Sequence, residues 1–492
     1  MITLSFAQRE NIGFQYVLDT LRPSSPYGRE RVRELRPFSP EERPELLRQL
    51  SNVQRVAEGE EVCQKPLNQL LRVFMAVKDI SPTVRKCRET ALNEIELFEV
   101  KSFLLRCHEM LPLFQEVQQA LQLEGVRLED TERALDLLDP EGSRVASFLI
   151  RDSASQTLLA LRREKRELEE RLRRLPQGEE RESLQALRAR TAAEEELEEI
   201  RIRKELSAAL RPYVPAMLSN MEMIGEIDLT VEKARLARRY GGVMPELTGS
   251  GLEMTKMLSP KVADALRSQG QEFTPVSISL DRGAAVITGA NMGGKSVAMK
   301  ALALNVLLVH CGFFPFAERA RCPLFHQMHM ISEDLESVDR GLSSFGGEIV
   351  RFNEMAAQLR EGFSLVLLDE FARGTNPDEG AAIVQAVTRY LDGQNVIAVL
   401  ATHYDNVARY ARAHYQVIGL RQLDLEALKR QLLGLNSQAG VELISQHMNY
   451  GLYQVEGEQD CPRDALNICR LLGMEPEIVD MIETCRNDRK SP

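Results

Sequence analysis

Residues 286–296 read VITGANMGGKS, and the half of the chain around them takes its fold class from this stretch. Gly289, four residues and then Gly294-Lys295-Ser296 satisfy the pattern G-x-x-x-x-G-K-[ST], in which loop amides and the start of a helix cradle phosphates. Ahead of it Ala284-Ala285-Val286-Ile287 is a short apolar run suited to a buried parallel strand. After it, residues 297 to 309 are apolar enough for a packed helix. Strand, glycine loop and helix in that order predict a P-loop. The backbone of Gly289, Ala290, Asn291, Met292, Gly293 and Gly294, with the helix start at Lys295, Ser296 and Val297, would surround the phosphates of ATP. Lys295 would reach the outer phosphates as a point charge, and the Ser296 hydroxyl would take one position on Mg2+. The competing reading, a glycine-rich turn with a chance Lys-Ser, leaves the flanking strand and helix unexplained.

At 492 residues the chain is too long for one ordinary core, so two to four domains are expected. A formal charge of -11 with 27% charged residues argues against a generally basic nucleic-acid coat but permits a local basic strip. The eight cysteines form no C-x-x-C pair and no signal peptide precedes them, which predicts reduced, mostly packed thiols in a cytoplasmic protein. No apolar run is long enough for a membrane span. His326 and His329 are the nearest approach to a metal pair, yet no cysteine or carboxylate constellation accompanies them.

Residues 1 to about 124 read as helical and leucine-rich, with Ser39-Pro40-Glu41-Glu42 marking a capped helix start. After a break at Asp139-Pro140-Glu141-Gly142 the text becomes charge-dense. Leu161, Leu168, Leu172 and Leu175 give one apolar stripe; Leu184, Leu187, Leu197 and Ile200 give a second, beyond the turn Pro176-Gln177-Gly178. This predicts an antiparallel helical hairpin with arms on the order of 30 Å. A plain coiled-coil spacer fits the same block, and Arg171, Arg173, Arg174 and Arg181 near its tip, candidates for phosphate contact, are diluted by Glu179, Glu180 and Glu182. A further helix, roughly 217 to 240, returns to the helical half. The glycine-rich stretch 241–251 marks the main boundary, beyond which strands and helices alternate as in a largely parallel sheet. From about Leu425 the tail reads as helical apart from an extended piece at Leu452-Tyr453-Gln454-Val455.

Leu365 to Glu370 is an apolar strand that ends in two carboxylates, where open α/β sheets place functional groups. Asp369 is expected to bind Mg2+, and Glu370 to orient and deprotonate the water that attacks the γ-phosphate. His403 closes another apolar strand, at 395–403. It is read as a γ-phosphate sensor, although a lone histidine there would ordinarily be structural.

TGANMGGKSV at 288–297, LSSF at 342–345, LLDEFARGTNPDEGAA at 367–382 and ATHY at 401–404 together resemble the MutS family of dimeric, ABC-like ATPases. Arg151-Asp152-Ser153-Ala154-Ser155, leading into Leu158 and Leu161-Arg162, resembles the start of that family's helical lever and clamp. The stretch from Gly457 to Gly473 resembles its helical dimerisation segment. GTNPDEGAA and LSSF look more like the second MutS group, which is not devoted to mismatch repair. One departure is Ala290 where the family usually has proline; the chain is further expected to lack the amino-terminal mismatch-reading domain and the closing nuclease-type module. The fold class implied is multidomain: an all-α helical core at 1–150, a helical-hairpin lever or clamp at 151–212, a return of the core at 213–248, an α/β ABC-like P-loop ATPase domain at 249–424, and a C-terminal helical dimerisation segment at 425–492.

The resemblance further implies a homodimer in which Ser343 and Ser344 of one subunit complete the nucleotide site of the other. The leading expectation is an ATPase, with ATP and Mg2+ as cofactors, whose clamp engages DNA of unusual structure and makes no covalent change to it. The alternative is an ATP-driven factor that remodels a protein, such as a reactivator of a cofactor-dependent enzyme, or one that works on the ribosome; no membrane partner is expected.

Overall fold

The computed structural model describes residues 2, 4–289, 294–332, 344–420, 425–432, 443, 448–456 and 464–488. The chain divides into two compact units, one of Arg22–Glu34 with Glu58–Glu232, the other of Met1–Leu21, Leu35–Ala57 and Lys233–Pro492.

The first unit is helical. Its long helix Glu94–Leu121 starts on a reciprocal cap: Asn93 Oδ1 accepts from the Glu96 amide at 2.9 Å, and Glu96 Oε2 accepts from the Asn93 amide at 2.8 Å. Leu97, Val100, Leu104 and Met110 carry its buried face. The break at Asp139 is organised by a buried charge. Asp139 accepts from Lys101 Nζ at 3.1 Å, from Ser143 Oγ at 2.7 Å and from the Arg144 amide at 2.7 Å. Burial opposes its ionisation, but these donors outweigh burial and hold the carboxyl at about 2.

Helices Gln156–Arg174 and Glu179–Leu210 form the expected hairpin, separated at Leu175 to Gly178, with the Ser155 hydroxyl capping the first arm by accepting from the Leu158 amide at 2.9 Å. The second stripe differs from the expected one. Leu187 and Leu197 are 42% and 67% exposed, whereas Leu184, Thr191, Glu195 and Ile202 are buried. Those four positions share one helical face, on which Glu195 receives Arg162 Nε at 3.0 Å and also binds Lys165. Arg162 donates in addition to Asp152 at 2.7 Å and to Glu199 at 2.7 Å.

The second unit contains two sheets. The strands are β1 (Glu246–Thr248), β2 (Leu252–Met257), β3 (Val276–Leu280), β4 (Gly283–Thr288), β5 (Arg319–Pro323), β6 (Gln327–Ile331), β7 (Ser364–Asp369), β8 (Val396–Thr402), β9 (Ala413–Gly419) and β10 (Asn449–Gln454). One sheet has the order β1-β5-β2-β3, the other β10-β9-β4-β8-β7-β6. Among the described residues of the larger sheet only the β10–β9 pair is antiparallel. Every residue of β4, β7 and β8 is buried, as their uninterrupted apolar text requires for strands covered on both faces. The helix Lys295–His310 is likewise buried almost throughout.

Three boundaries move from their expected places. Residues 1–21 and 35–57, read as part of one helical core, belong to the second unit. Tyr16 Oη donates to Asp264 Oδ2 at 2.8 Å, Gln8 Nε2 to the Met330 carbonyl at 3.1 Å, and the Phe38 amide to the His310 carbonyl at 2.7 Å. The glycine-rich stretch is no domain boundary: Gly249-Ser250-Gly251 turns from β1 into β2, and the units divide at 232/233 instead. The extended piece of the tail is β10, which joins the larger sheet through β9, so residue 425 does not end the α/β fold. No helix of the described residues is long and apolar enough to cross a membrane. Cys63, Cys87, Cys107, Cys311 and Cys322 are buried free thiols.

Candidate nucleotide site

Parallel register brings the ends of three strands together, with Thr288 opposite Thr402 and Asp369 opposite Ala401. Gly289 follows β4 with φ 155°, and Gly294 caps the helix Lys295–His310 with φ 84°. Both positive φ values favour glycine, and contact adds to this. A Cβ on Gly294 would lie 2.9 Å from Tyr450 Cδ1, and one on Gly289 3.1 Å from Val417 Cβ. Lys295 is buried and donates to the Gly289 carbonyl at 2.7 Å; its Nζ is 3.6 Å from Glu370 Oε1. Ala290, Asn291, Met292, Gly293 and Ser343 lie outside the described residues. Ser344 is the first residue of the helix Ser344–Gln358.

Asp369 and Glu370 diverge in environment. Asp369 is buried, and its Oδ1 has no hydrogen-bond partner among the described residues. Burial raises its carboxyl above the usual 3.8 and the neighbouring Glu370 adds to this, while a hydrogen bond with Ser296 and the charges of Lys300 and Lys295 oppose it. A buried carboxylate oxygen with nothing to accept from, beside a serine hydroxyl, is a pair of hard oxygen donors suited to Mg2+, which fills its remaining positions with water and phosphate oxygens. Glu370 sits just past the strand with φ 50° and is held between cations, with Arg373 Nη1 at 3.0 Å from Oε2 and Lys295 on Oε1. His403 follows β8. Burial lowers its pKa below 6.5, so the ring is neutral near pH 7, and its Nδ1 is buried without a partner among the described residues. The structure thus gathers Gly289, Gly294, Lys295, Ser296, Asp369, Glu370 and His403 at one sheet edge.

Sequence reasoning missed what lies beside them. A cavity of about 790 Å³ opens against Gly294, Lys295, Ser296, Val297 and Ala298, walled by Val262, Leu266, Phe273 and Thr274 and, from the tail, Met448 and Tyr450. It has room for a base and sugar, with aromatic walls to stack on. Tyr450 was hidden because its strand reads as tail; the proximity of β10 to Gly294 is a tertiary fact. By contrast, His326 and His329 serve as hydrogen-bond partners, His326 Nδ1 accepting from the Phe363 amide at 3.1 Å and His329 Nε2 lying 3.0 Å from Gln327 Oε1.

Residues 285–468 match the family model described as MutS domain V. The protein named Endonuclease MutS2 of Thermus thermophilus is 34% identical over 250 residues, covering 50% of this chain and 32% of that protein. The proteins of the same name from Symbiobacterium thermophilum and Streptococcus gordonii are each 30% identical, over 298 and 223 residues, covering 59% and 44% of this chain and 34% and 27% of their own lengths. The matched segments span about a third or less of these relatives. Residues 285–468, which include Lys295, Ser296, Asp369, Glu370 and His403 at the sheet edge, are thus similar to MutS domain V, and the chain is MutS2-like over about half its length.

Proposed function

We propose that the chain is a Mg2+-dependent ATPase in which nucleotide binding sets the posture of the helical hairpin, and that the hairpin engages DNA of unusual structure. The observation that carries the ATPase reading is the buried Asp369 Oδ1, without a hydrogen-bond partner among the described residues, beside Ser296 and at one sheet edge with Lys295 and Glu370. In this reading Lys295 holds the outer phosphates and Ser296 and Asp369 hold the cation, which would neutralise phosphate charge. Glu370 accepts the proton of the attacking water, and the neutral His403 ring hydrogen-bonds the γ-phosphate. The base and sugar occupy the cavity walled by Phe273 and Tyr450. Two chains associate, Ser343 and Ser344 of each completing the other's site, with residues 457–473 in the dimer contact. The domain division at 151–212 for the lever and clamp belongs to the same proposal, as does a cytoplasmic location, which the buried thiols suit.

The discriminating variant is Glu370→Gln, which should cut turnover by about 10^2 to 10^4 while ATP affinity stays within a few fold. Equal loss of binding would remove Glu370 from the role of base.

A second reading, ATP-driven remodelling of a protein, draws support from the hairpin's charge pairing. Arg188 lies 2.9 Å from Glu169, Arg190 3.0 Å from Glu194 and Arg201 2.8 Å from Glu198, so much of its positive charge is answered within the hairpin. Measuring ATPase rate against DNA length at two salt concentrations separates the readings. Stimulation that weakens with salt, and charge reversal at Arg171, Arg173 and Arg174 that flattens the salt dependence by about 0.9 in log K per log salt for each lost phosphate contact, is expected for DNA. A flat response at both salts promotes the protein partner.

A further inference from the structure

The loop that follows β7 is gripped at a single residue. Glu370 and Ala372 adopt φ of 50° and 63°, a conformation that residues with a Cβ avoid unless their surroundings impose it. Ala372 is fully buried, and both of its backbone polar groups are taken by side chains from other elements. Its amide donates to Glu348 Oε2 at 2.7 Å, and its carbonyl accepts from Tyr404 Oη at 3.0 Å. Both side chains are buried, Glu348 at 5% and Tyr404 at 8% exposure. Burial, then the charges of Glu348 and Glu370, push the Tyr404 phenol above its usual value, so its proton remains available to donate. The helix Pro377–Asp392 leaves the slot open: a Cβ on Gly380 would come within 2.9 Å of the Ala372 carbonyl.

The gripping residues come from informative places. Tyr404 follows His403. Glu348 lies four residues after Ser344 in the helix Ser344–Gln358, on the same helical face. We infer that Glu348 and Tyr404 are positioning residues for hydrolysis, holding the two peptide groups of Ala372 so that the Glu370 carboxylate is presented to the attacking water, and that Glu348 transmits displacement of the helix start at Ser344 to that loop. The inference rests on Glu370 being the base. A misplacement of about 1 Å in such a group costs on the order of 100-fold in rate, so a backbone grip two residues away is a sensitive control point.

The test compares Glu348→Ala, Glu348→Gln and Tyr404→Phe with the unaltered chain in turnover, KM, ATP binding, melting temperature and hydrogen exchange of the amides at 370–374. Glu348→Ala and Tyr404→Phe should lower kcat by about 10- to 100-fold. KM, ATP binding and the melting temperature should change little, and the loop amides should exchange faster. Glu348→Gln, which keeps an acceptor oxygen, should recover most of the rate. A fall in ATP binding and melting temperature matching the fall in kcat, or a Gln variant as slow as the Ala variant, would overturn the assignment. Glu370→Gln separates the two possible failures. Hydrolysis that survives Glu370→Gln defeats the functional reading and this inference with it, whereas hydrolysis lost in Glu370→Gln but intact in Glu348→Ala and Tyr404→Phe defeats this inference alone.

Discussion

The sheet edge and the hairpin use charge in opposite ways. In the hairpin Arg162 is answered by Asp152, Glu195 and Glu199, Glu195 by Arg162 and Lys165, and Asp152 by Arg162 and Arg166. At the sheet edge Asp369 Oδ1 and His403 Nδ1 are buried with nothing to bind among the described residues, and a buried lysine rests on a loop carbonyl. Completed pairing stiffens an element and fixes its register. Uncompleted pairing stores a penalty that only a ligand of suitable charge removes. The first region therefore reads as an arm and the second as a site.

The largest expected contrast comes from removing one cation from each region. Lys295→Ala should weaken ATP binding by about 3 kcal/mol, roughly a hundredfold in Kd, with little effect on melting without nucleotide. Arg162→Ala should do the reverse. Its side chain is 22% exposed and its loss leaves three carboxylates short of a partner, so unfolding of the hairpin should become easier by about 2 kcal/mol while basal hydrolysis is retained. Thermal melts and nucleotide titrations of the two variants measure both quantities. A hairpin variant that loses ATP binding as severely as Lys295→Ala would break the distinction.

A smaller effect tests the stored penalty directly. A carboxyl whose folded pKa is raised binds its proton more tightly when folded, so Asp369 costs nothing below its ordinary value of 3.8, destabilises increasingly as pH climbs from there to the folded value, and above that its cost stays level. Asp369→Asn should thus match the unaltered chain in stability at the acid end and exceed it by about 1 kcal/mol at neutral pH, in the absence of Mg2+ and nucleotide. Adding both should reverse the ranking, because only the carboxylate gains a cation. Melting temperatures across pH, with and without Mg-ATP, decide the matter; an Asn variant less stable at every pH would mean that the carboxylate is structurally satisfied.

What could be read from the text, and what could not, follows the range of the interactions. The phosphate loop, the acidic end of β7 and the histidine after β8 are local patterns whose setting is also local, a strand before and a helix or loop after. Parallel pairing then brings them to one edge. Tyr450 and Glu348 were not legible, since the first needs β10 to close the sheet beside β9 and the second needs the helix Ser344–Gln358 to lie over Ala372. The β1-β5-β2-β3 sheet was missed for a related reason: its strands are short, and their register is made by pairing across distant sequence.

The hairpin supplies the finest test, because there the text misled by only a few residues. Leucine spacing alone places Leu187 and Leu197 in the seam, yet both are exposed, and buried Glu195 lies on the face that also carries Leu184, Thr191 and Ile202. If ion pairing selects that face, the two leucines contribute almost nothing to folding. Leu187→Gln and Leu197→Gln should each change stability by less than about 0.5 kcal/mol, as surface substitutions do. Leu184→Ala, at 7% exposure, should cost about 2 kcal/mol. Glu195→Leu supplies the complementary perturbation, since it adds an apolar side chain to the seam while stripping Arg162 and Lys165 of a partner. Were leucine spacing in control, that change would stabilise the hairpin and Leu197→Gln would weaken it; with charge in control, Glu195→Leu weakens it and Leu197→Gln leaves the melt where it was.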